Sequence, residues 1–258
     1  MVTLGPAPAL PALMPLSPTL PGYVAPLTLG SPLPGVTLWW CSTAGDDATL
    51  AERQAWLSTA EKTRMARFAT PALARRYAMG RGALRHVLGA ALGCTPVQVT
   101  IGRGVRSRPH LCGIAGVDFN VSNTRDVALI GVCTQPGVRI GVDVEHGARR
   151  LAHAGLARKF CTPREHAAFE GLDDDAARRW FLRLWTCKEA MSKATGEALG
   201  APLRRLDVDL APALRLVDGP PPYRPDDWTL LDAGAPDDYV ATVALWRVPA
   251  GAADGRTR

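Results

Sequence analysis

The chain of 258 residues carries 30 Lys+Arg against 24 Asp+Glu, a formal net charge of +6, with 47% hydrophobic and 21% charged residues. That composition excludes a mostly disordered chain, a collagen or a coiled coil, and the length suits one large domain or two smaller ones, each able to bury a core. No run of about 18 apolar residues lacks proline, glycine and charge, which speaks against a membrane-spanning helix.

The first charged residue is Asp46, and nine prolines occur by Pro34. A secretory signal needs a basic start and an unbroken apolar core, so residues 1–35 read as a flexible Pro-rich leader. Val36 to Cys41 (VTLWWC) is β-branched and aromatic and predicts a strand. Ser58 precedes Glu61 by three positions, the capping-box spacing that opens a helix. Over Ala72–Leu92, leucines recur at 84, 88 and 92 and Gly93 follows, predicting a helix with a glycine stop. Asp118–Cys133 reads as strand, polar turn and strand, and Arg139–Glu145 as a further strand after the Pro136-Gly137 turn. Thr162 then stands three residues before Glu165, as Ser58 stands before Glu61, at an offset of 104 residues. A second long helix is predicted over Ala176–Thr195 and a last strand over Tyr239–Val248. This order suggests a degenerate duplication: an N-terminal α+β subdomain over 36–140, a C-terminal one over 141–249, and a flexible tail over 250–258.

Six cysteines are scattered without a C-x-x-C pair, which argues against a zinc ribbon or a secreted disulfide framework and for the reducing cytoplasm. The basic residues comprise 26 arginines and only four lysines, and two of those, Lys188 and Lys193, share one segment.

Two places hold chemistry. Asp143 and Glu145 are two apart on a predicted strand, so both side chains leave the same face. Such a pair suits a hard cation, Mg²⁺ or Mn²⁺, although D-x-E taken alone more often marks a solvated strand edge. On the second long helix, Trp180, Leu184, Cys187 and Met191 form an apolar stripe with Glu189 nearly opposite, flanked at four residues by Lys193 and Trp185. Trp185 predicts that this face is covered too, leaving Glu189 and Lys193 in a cleft rather than as a solvated i,i+4 pair.

GVDVE (Gly141–Glu145) followed by WTCKEAMSKATG (Trp185–Gly196) resembles the signature pair of the surfactin-type (Sfp-type) 4'-phosphopantetheinyl transferases, G-[IV]-D-[IV]-E and W-x-x-K-E-[AS]-x-x-K-x-x-G. The likeness extends to R-R-Y-x-x-x-R-x-x-L-R (Arg75–Arg85), to S-R-P-x-L (Ser107–Leu111) where the family reads G-K-P-x-L, and to F-N-V-S (Phe119–Ser122). It implies an α+β fold of two similar subdomains in a pseudo-twofold arrangement, with coenzyme A and Mg²⁺ at their junction. The implied reaction moves 4'-phosphopantetheine onto a serine of an apo acyl or peptidyl carrier protein, releasing adenosine 3',5'-bisphosphate.

By motif position, Asp143, Glu145 and Glu189 would hold Mg²⁺, and Glu189 would also be the general base. Lys188 and Lys193 would contact the pyrophosphate, with Lys193 grouped with Asp143 and Glu189 as catalytic. Lys62, Arg64 and Arg76 would meet the phosphates, Arg108 and Pro109 occupy the G-K-P position, and Ser122, Asn123 and Thr124 would approach the 3'-phosphate. Asn123 replaces the family's usual histidine; it can still donate a hydrogen bond, and affinity for the 3'-phosphate would either fall or be supplied by Arg125. Arg81 and Arg85 are divided between phosphate contacts and structural ion pairs. The resemblance favours a monomer, without nucleic acid or membrane. Two other classes fit parts of the pattern: a metal-dependent phosphodiesterase or nuclease, since D-x-E with a distant Glu and Lys also describes such centres, and a non-enzymatic basic nucleic-acid-binding module, against which the arginines are dispersed.

Overall fold

The computed structural model describes residues 27–104 and 107–249; the expected leader up to residue 26 and the tail from residue 250 lie outside the described residues. The described chain falls into two compact units, residues 45–99 and residues 27–44 with 100–249.

The first unit is helical: α1 (Asp47–Ala55), α2 (Thr59–Met65) and α3 (Pro71–Leu92). Each start is specified locally. Asp46 accepts from the Thr49 N–H, Ser58 and Glu61 form the reciprocal capping box that their spacing predicts, and Thr70 with Pro71 opens α3. Gly93 ends α3 at φ +68, a left-handed conformation that suits glycine. The buried Glu61 carboxylate accepts from Arg81 and from Arg85 Nε at 2.6 Å, while Arg85 Nη1 reaches the Pro96 and Val99 carbonyls at 3.0 and 2.8 Å. Arg85 is therefore structural, while Arg81 shares the same carboxylate through Nε from a side chain that is 16% exposed.

The second unit contains two principal antiparallel sheets. One has the order β1 (Leu27–Leu33), β2 (Val36–Ser42), β6 (Val127–Cys133), β5 (Asp118–Thr124); the other runs β10 (Trp228–Asp232), β11 (Tyr239–Arg247), β7 (Val138–His146). Two-stranded ribbons are formed by β3 (Ile101–Arg103) with β4 (Pro109–Leu111) and by β8 (Asp207–Asp209) with β9 (Arg215–Asp218). Three helices, α4 (His153–Phe160), α5 (Pro163–Phe169) and α6 (Asp174–Thr195), complete it. β1 corrects the sequence expectation: residues 27–33 belong to the sheet, paired with β2, rather than to a flexible leader.

The element order repeats. A strand (β2 or β7), three helices, a short ribbon and two further strands occur twice, and β2-β6-β5 pairs as β7-β11-β10 does. The offset capping box recurs as predicted, Thr162 and Glu165 bonding reciprocally at the start of α5. The compact units, however, do not divide near residue 140, because β7 is joined to the edge of the first sheet. There Asp118 Oδ2, Asn120 Oδ1 and Ser122 Oγ accept from the N–H groups of Ile140, Val142 and Val144 at 2.9, 3.1 and 3.4 Å. Side chains two apart on β5 thus act as rungs to alternate residues of β7, whose other edge pairs with β11.

Candidate active site

β7 is buried from Arg139 to Glu145, and α6 lies directly on it. Gly141 makes this approach feasible: a Cβ there would stand 1.9 Å from the Ala190 carbonyl oxygen and 2.7 Å from the Ala194 N. The glycine of GVDVE and the alanines of KEAMSKA are therefore two sides of one close contact. At the end of α6, Gly196 adopts φ +80 and the Arg108 side chain covers it, a Cβ at Gly196 meeting Arg108 Cδ at 3.2 Å.

This contact brings Lys193 to Asp143. Asp143, 4% exposed, accepts through Oδ1 from Lys193 Nζ at 2.6 Å and Ser122 Oγ at 2.8 Å, while its Oδ2 is buried without a partner. Lys193 Nζ also donates to Ser122 Oγ at 2.9 Å and, more loosely, to the Val142 carbonyl at 3.3 Å. Glu145 is paired with Arg149. Glu189 is half-buried on α6. Burial, and then the negative charge of Asp143, hold the carboxyls of Glu145 and Glu189 above the ordinary range; Arg149 and Lys193 partly offset this in both. Three carboxylates thus share one electrostatic neighbourhood with two cations.

Hard oxygen donors, mutual repulsion and an orphaned buried carboxylate oxygen fit a divalent ion chemically. The side chains are not gathered as a finished ligand set: among the described residues no three His, Cys, Asp or Glu groups stand close enough to hold a metal. Asp143 and Glu145 are instead engaged by Lys193 and Arg149.

Other sequence-nominated residues are placed differently. Lys188 is 1% exposed, and its Nζ donates to Glu165 Oε2 at 2.6 Å and to the Phe160 and Leu203 carbonyls at 2.9 Å each. All three ammonium protons are used inside the protein, so the expected pyrophosphate contact is corrected to a structural one; burial also lowers the proton affinity of this amine. Arg108 likewise faces inward, forking Asp118 at 2.8 and 2.7 Å and reaching the Lys193 and Ile140 carbonyls at 2.9 and 2.8 Å. It ties β5, β7 and the end of α6 together instead of presenting a free fork to phosphate. Trp185 meets Phe160 edge-on at 5.0 Å and stacks on Phe181 at 6.0 Å, packed against the apolar core.

Ser122 is buried between Asp143 and Lys193, whereas Asn123 is exposed and Thr124 half-buried at the end of β5. Pro109 begins β4, half-buried opposite Arg103. Lys62, Arg64 and Arg76 are exposed on the helical unit, where Arg64 lies over the Tyr77 ring at 5.6 Å. Arg125, at φ +45, approaches His146 Nε2 at 3.0 Å.

Arg149, Asp118 and Asn120 were not singled out from sequence. The alternation D-x-N-x-S carried the signal for the rungs, but polar residues at period two ordinarily mark a solvated strand face.

The carboxylates of β7, the lysine-bearing α6 and the close packing between them lie within a matched region. The chain belongs to the 4'-phosphopantetheinyl transferase superfamily, whose family model matches residues 139–244, from β7 through α6 to β11. It is an enzyme of that transferase class. The chain is 34% identical over 215 residues to the 4'-phosphopantetheinyl transferase HetI of Nostoc sp., covering 81% of this chain and 87% of that protein. It is 32% identical over 219 residues to slr0495 of Synechocystis sp., covering 82% and 87%, and 25% identical over 154 residues to the 4'-phosphopantetheinyl transferase of Bacillus subtilis, covering 60% and 66%.

Proposed function

We propose that the protein is a surfactin-type transferase that moves 4'-phosphopantetheine from coenzyme A to a serine of an apo acyl or peptidyl carrier protein, with Mg²⁺ held by Asp143, Glu145 and Glu189. The observation that carries this reading is the buried Asp143 with one oxygen bridged to Lys193 and the other unpartnered, beside two carboxyls of raised proton affinity. When bound, the ion supplies neutralising charge at the pyrophosphate.

The remaining work falls to the chain's own groups. Glu189, half-buried and disfavoured as an anion, accepts the proton of the attacking serine hydroxyl. The serine oxygen forms a bond to the β-phosphorus as the phosphoanhydride bond to the nucleotide breaks, leaving adenosine 3',5'-bisphosphate. Lys193 exchanges its loosest contact, the Val142 carbonyl at 3.3 Å, for an oxygen of the departing phosphate. Ser122 and Asp143 hold the ammonium during that exchange. Lys62, Arg64, Arg76, Asn123 and Thr124 are proposed nucleotide contacts on the strength of motif position alone. The repeated element order supports a monomer, and six free cysteines support a reducing cytoplasm. Among the described residues no helix is long and apolar enough to cross a membrane.

Intact-mass analysis of an apo carrier protein incubated with coenzyme A, Mg²⁺ and the enzyme tests the proposal. One phosphopantetheine is gained with wild type and none with folded Asp143→Ala or Glu189→Ala. Full activity in folded Glu189→Ala removes the base and ligand assignment, and absence of any gain with wild type removes the activity.

A further inference from the structure

Glu145 is the one member of the carboxylate trio held by a cation from outside the β7–α6 contact. Its carboxylate is 10% exposed, whereas the partnering Arg149 side chain is 47% exposed. Arg149 follows β7 in a turn closed by the Arg149 N–H to His146 O bond at 2.9 Å, while Gly147 N–H bonds Asp238 O at 2.7 Å and extends the pairing with the chain before β11. The turn folds the guanidinium back onto the strand it has just left. Its charge acts on Glu189 as well as on Glu145, lowering the proton affinity of both. Lys193 performs the corresponding service for Asp143, but from a helix and 25% exposed.

We propose that Arg149 is a cationic latch on Glu145 that competes with the divalent ion and sets the enzyme's affinity for it. The proposal rests on the reading of Asp143, Glu145 and Glu189 as ligands. The physical argument is one of charge. Three carboxylates with Lys193 and Arg149 sum to −1, so an arriving divalent cation over-neutralises the cluster unless a resident cation withdraws. Arg149 is the one free to do so: it is the more exposed, and its partner bond can be replaced by water. Lys193 has three contacts and is fixed to a helix. The neighbouring Arg150 is exposed and makes no ion pair among the described residues, so it supplies an internal control of equal charge.

The test measures Mn²⁺ binding to the full chain without coenzyme A, reading free Mn²⁺ by electron paramagnetic resonance, for wild type, Arg149→Gln, Arg149→Lys, Arg150→Gln and Glu145→Gln. Arg149→Gln is expected to bind Mn²⁺ about two- to five-fold more tightly, the range for removing an exposed competing ion pair. Arg149→Lys lies between it and wild type, and Arg150→Gln changes affinity less than about 1.5-fold because its charge is screened by solvent. In turnover, Arg149→Gln lowers the Mg²⁺ concentration for half-activation while leaving KM for coenzyme A unchanged. Equal or weaker Mn²⁺ binding by folded Arg149→Gln overturns the latch, as does an equal gain in Arg150→Gln; should Arg149→Gln not fold, wild-type affinity in Arg149→Lys overturns it. The Glu145→Gln arm separates the two claims: undiminished Mn²⁺ binding there overturns the ligand reading itself, whereas lost binding there with no effect of Arg149→Gln overturns the latch alone.

Discussion

Replacing Lys188 by Met tests whether this motif lysine serves the fold or the substrate. The change deletes an ammonium that is 1% exposed and leaves Glu165, equally buried, without its counter-charge, along with two carbonyl acceptors on Phe160 and Leu203. Removing one partner of a buried ion pair costs about 3–5 kcal/mol, a large part of a total stability of about 5–15 kcal/mol. At about 2–4 °C per kcal/mol for a chain of this size, the melting temperature should fall by about 6–20 °C. Urea denaturation followed by circular dichroism measures the loss as a shift in midpoint at unchanged slope. Glu165 retains the Thr162 and Val208 N–H groups as donors, so Lys188→Met/Glu165→Gln, which removes the stranded charge but keeps the side chain's shape, should recover part of the stability. A Lys188→Met protein within about 1 kcal/mol of wild type whose transferase activity has nonetheless collapsed refutes the structural reading and restores Lys188 to the phosphates.

Glu61 gives a pH-dependent counterpart. Burial raises its carboxyl, but bonds from Arg85, Arg81 and the Ser58 N–H outweigh burial and hold it below the ordinary 4.5. A depressed carboxyl contributes stability that is present above its unfolded value and lost as pH falls through the folded one. Glu61→Gln is therefore expected to be less stable than wild type at pH 7, with the gap closing below pH 4.5; a gap constant down to pH 3 contradicts the assignment. Gly141→Ala places a methyl 1.9 Å from the Ala190 carbonyl oxygen. It should cost at least the ~1–3 kcal/mol of ordinary overpacking and, by lifting α6 from β7, abolish transfer in protein that remains folded. Wild-type turnover in that variant shows that the close contact does not position the site.

What could be read from sequence was what is written locally. Both capping boxes, the glycine stop after α3 and the period of the strands around Asp118–Cys133 follow from short-range chemistry, and the structure contains them. α1, with its thin apolar pattern, and β1, interrupted by Gly and Pro, gave too weak a signal. The family motifs group Asp143 with Lys193, and the structure joins the two as an ion pair that the motifs do not specify. Motif spacing does not say what a side chain meets, so the motif points Lys188 and Arg108 to phosphate, whereas Lys188 spends all three N–H donors and Arg108 four of its five inside the protein. The duplication contained the missing clue for Lys188. Arg85 binds the capping-box Glu61 and two loop carbonyls, and Lys188, 103 positions later, binds the capping-box Glu165 and two carbonyls in the same manner.

The Asp118, Asn120 and Ser122 rungs have a consequence for how this enzyme can be altered. Where two strands bond through their peptides, their separation is a constant of the backbone; here the gap beside Asp143 is measured out by side-chain length. Exchanging one short polar residue on β5 for a longer one widens that seam next to Asp143 while each sheet keeps its own peptide pairing, so the spacing of β5 from β7 is an adjustable dimension, encoded residue by residue.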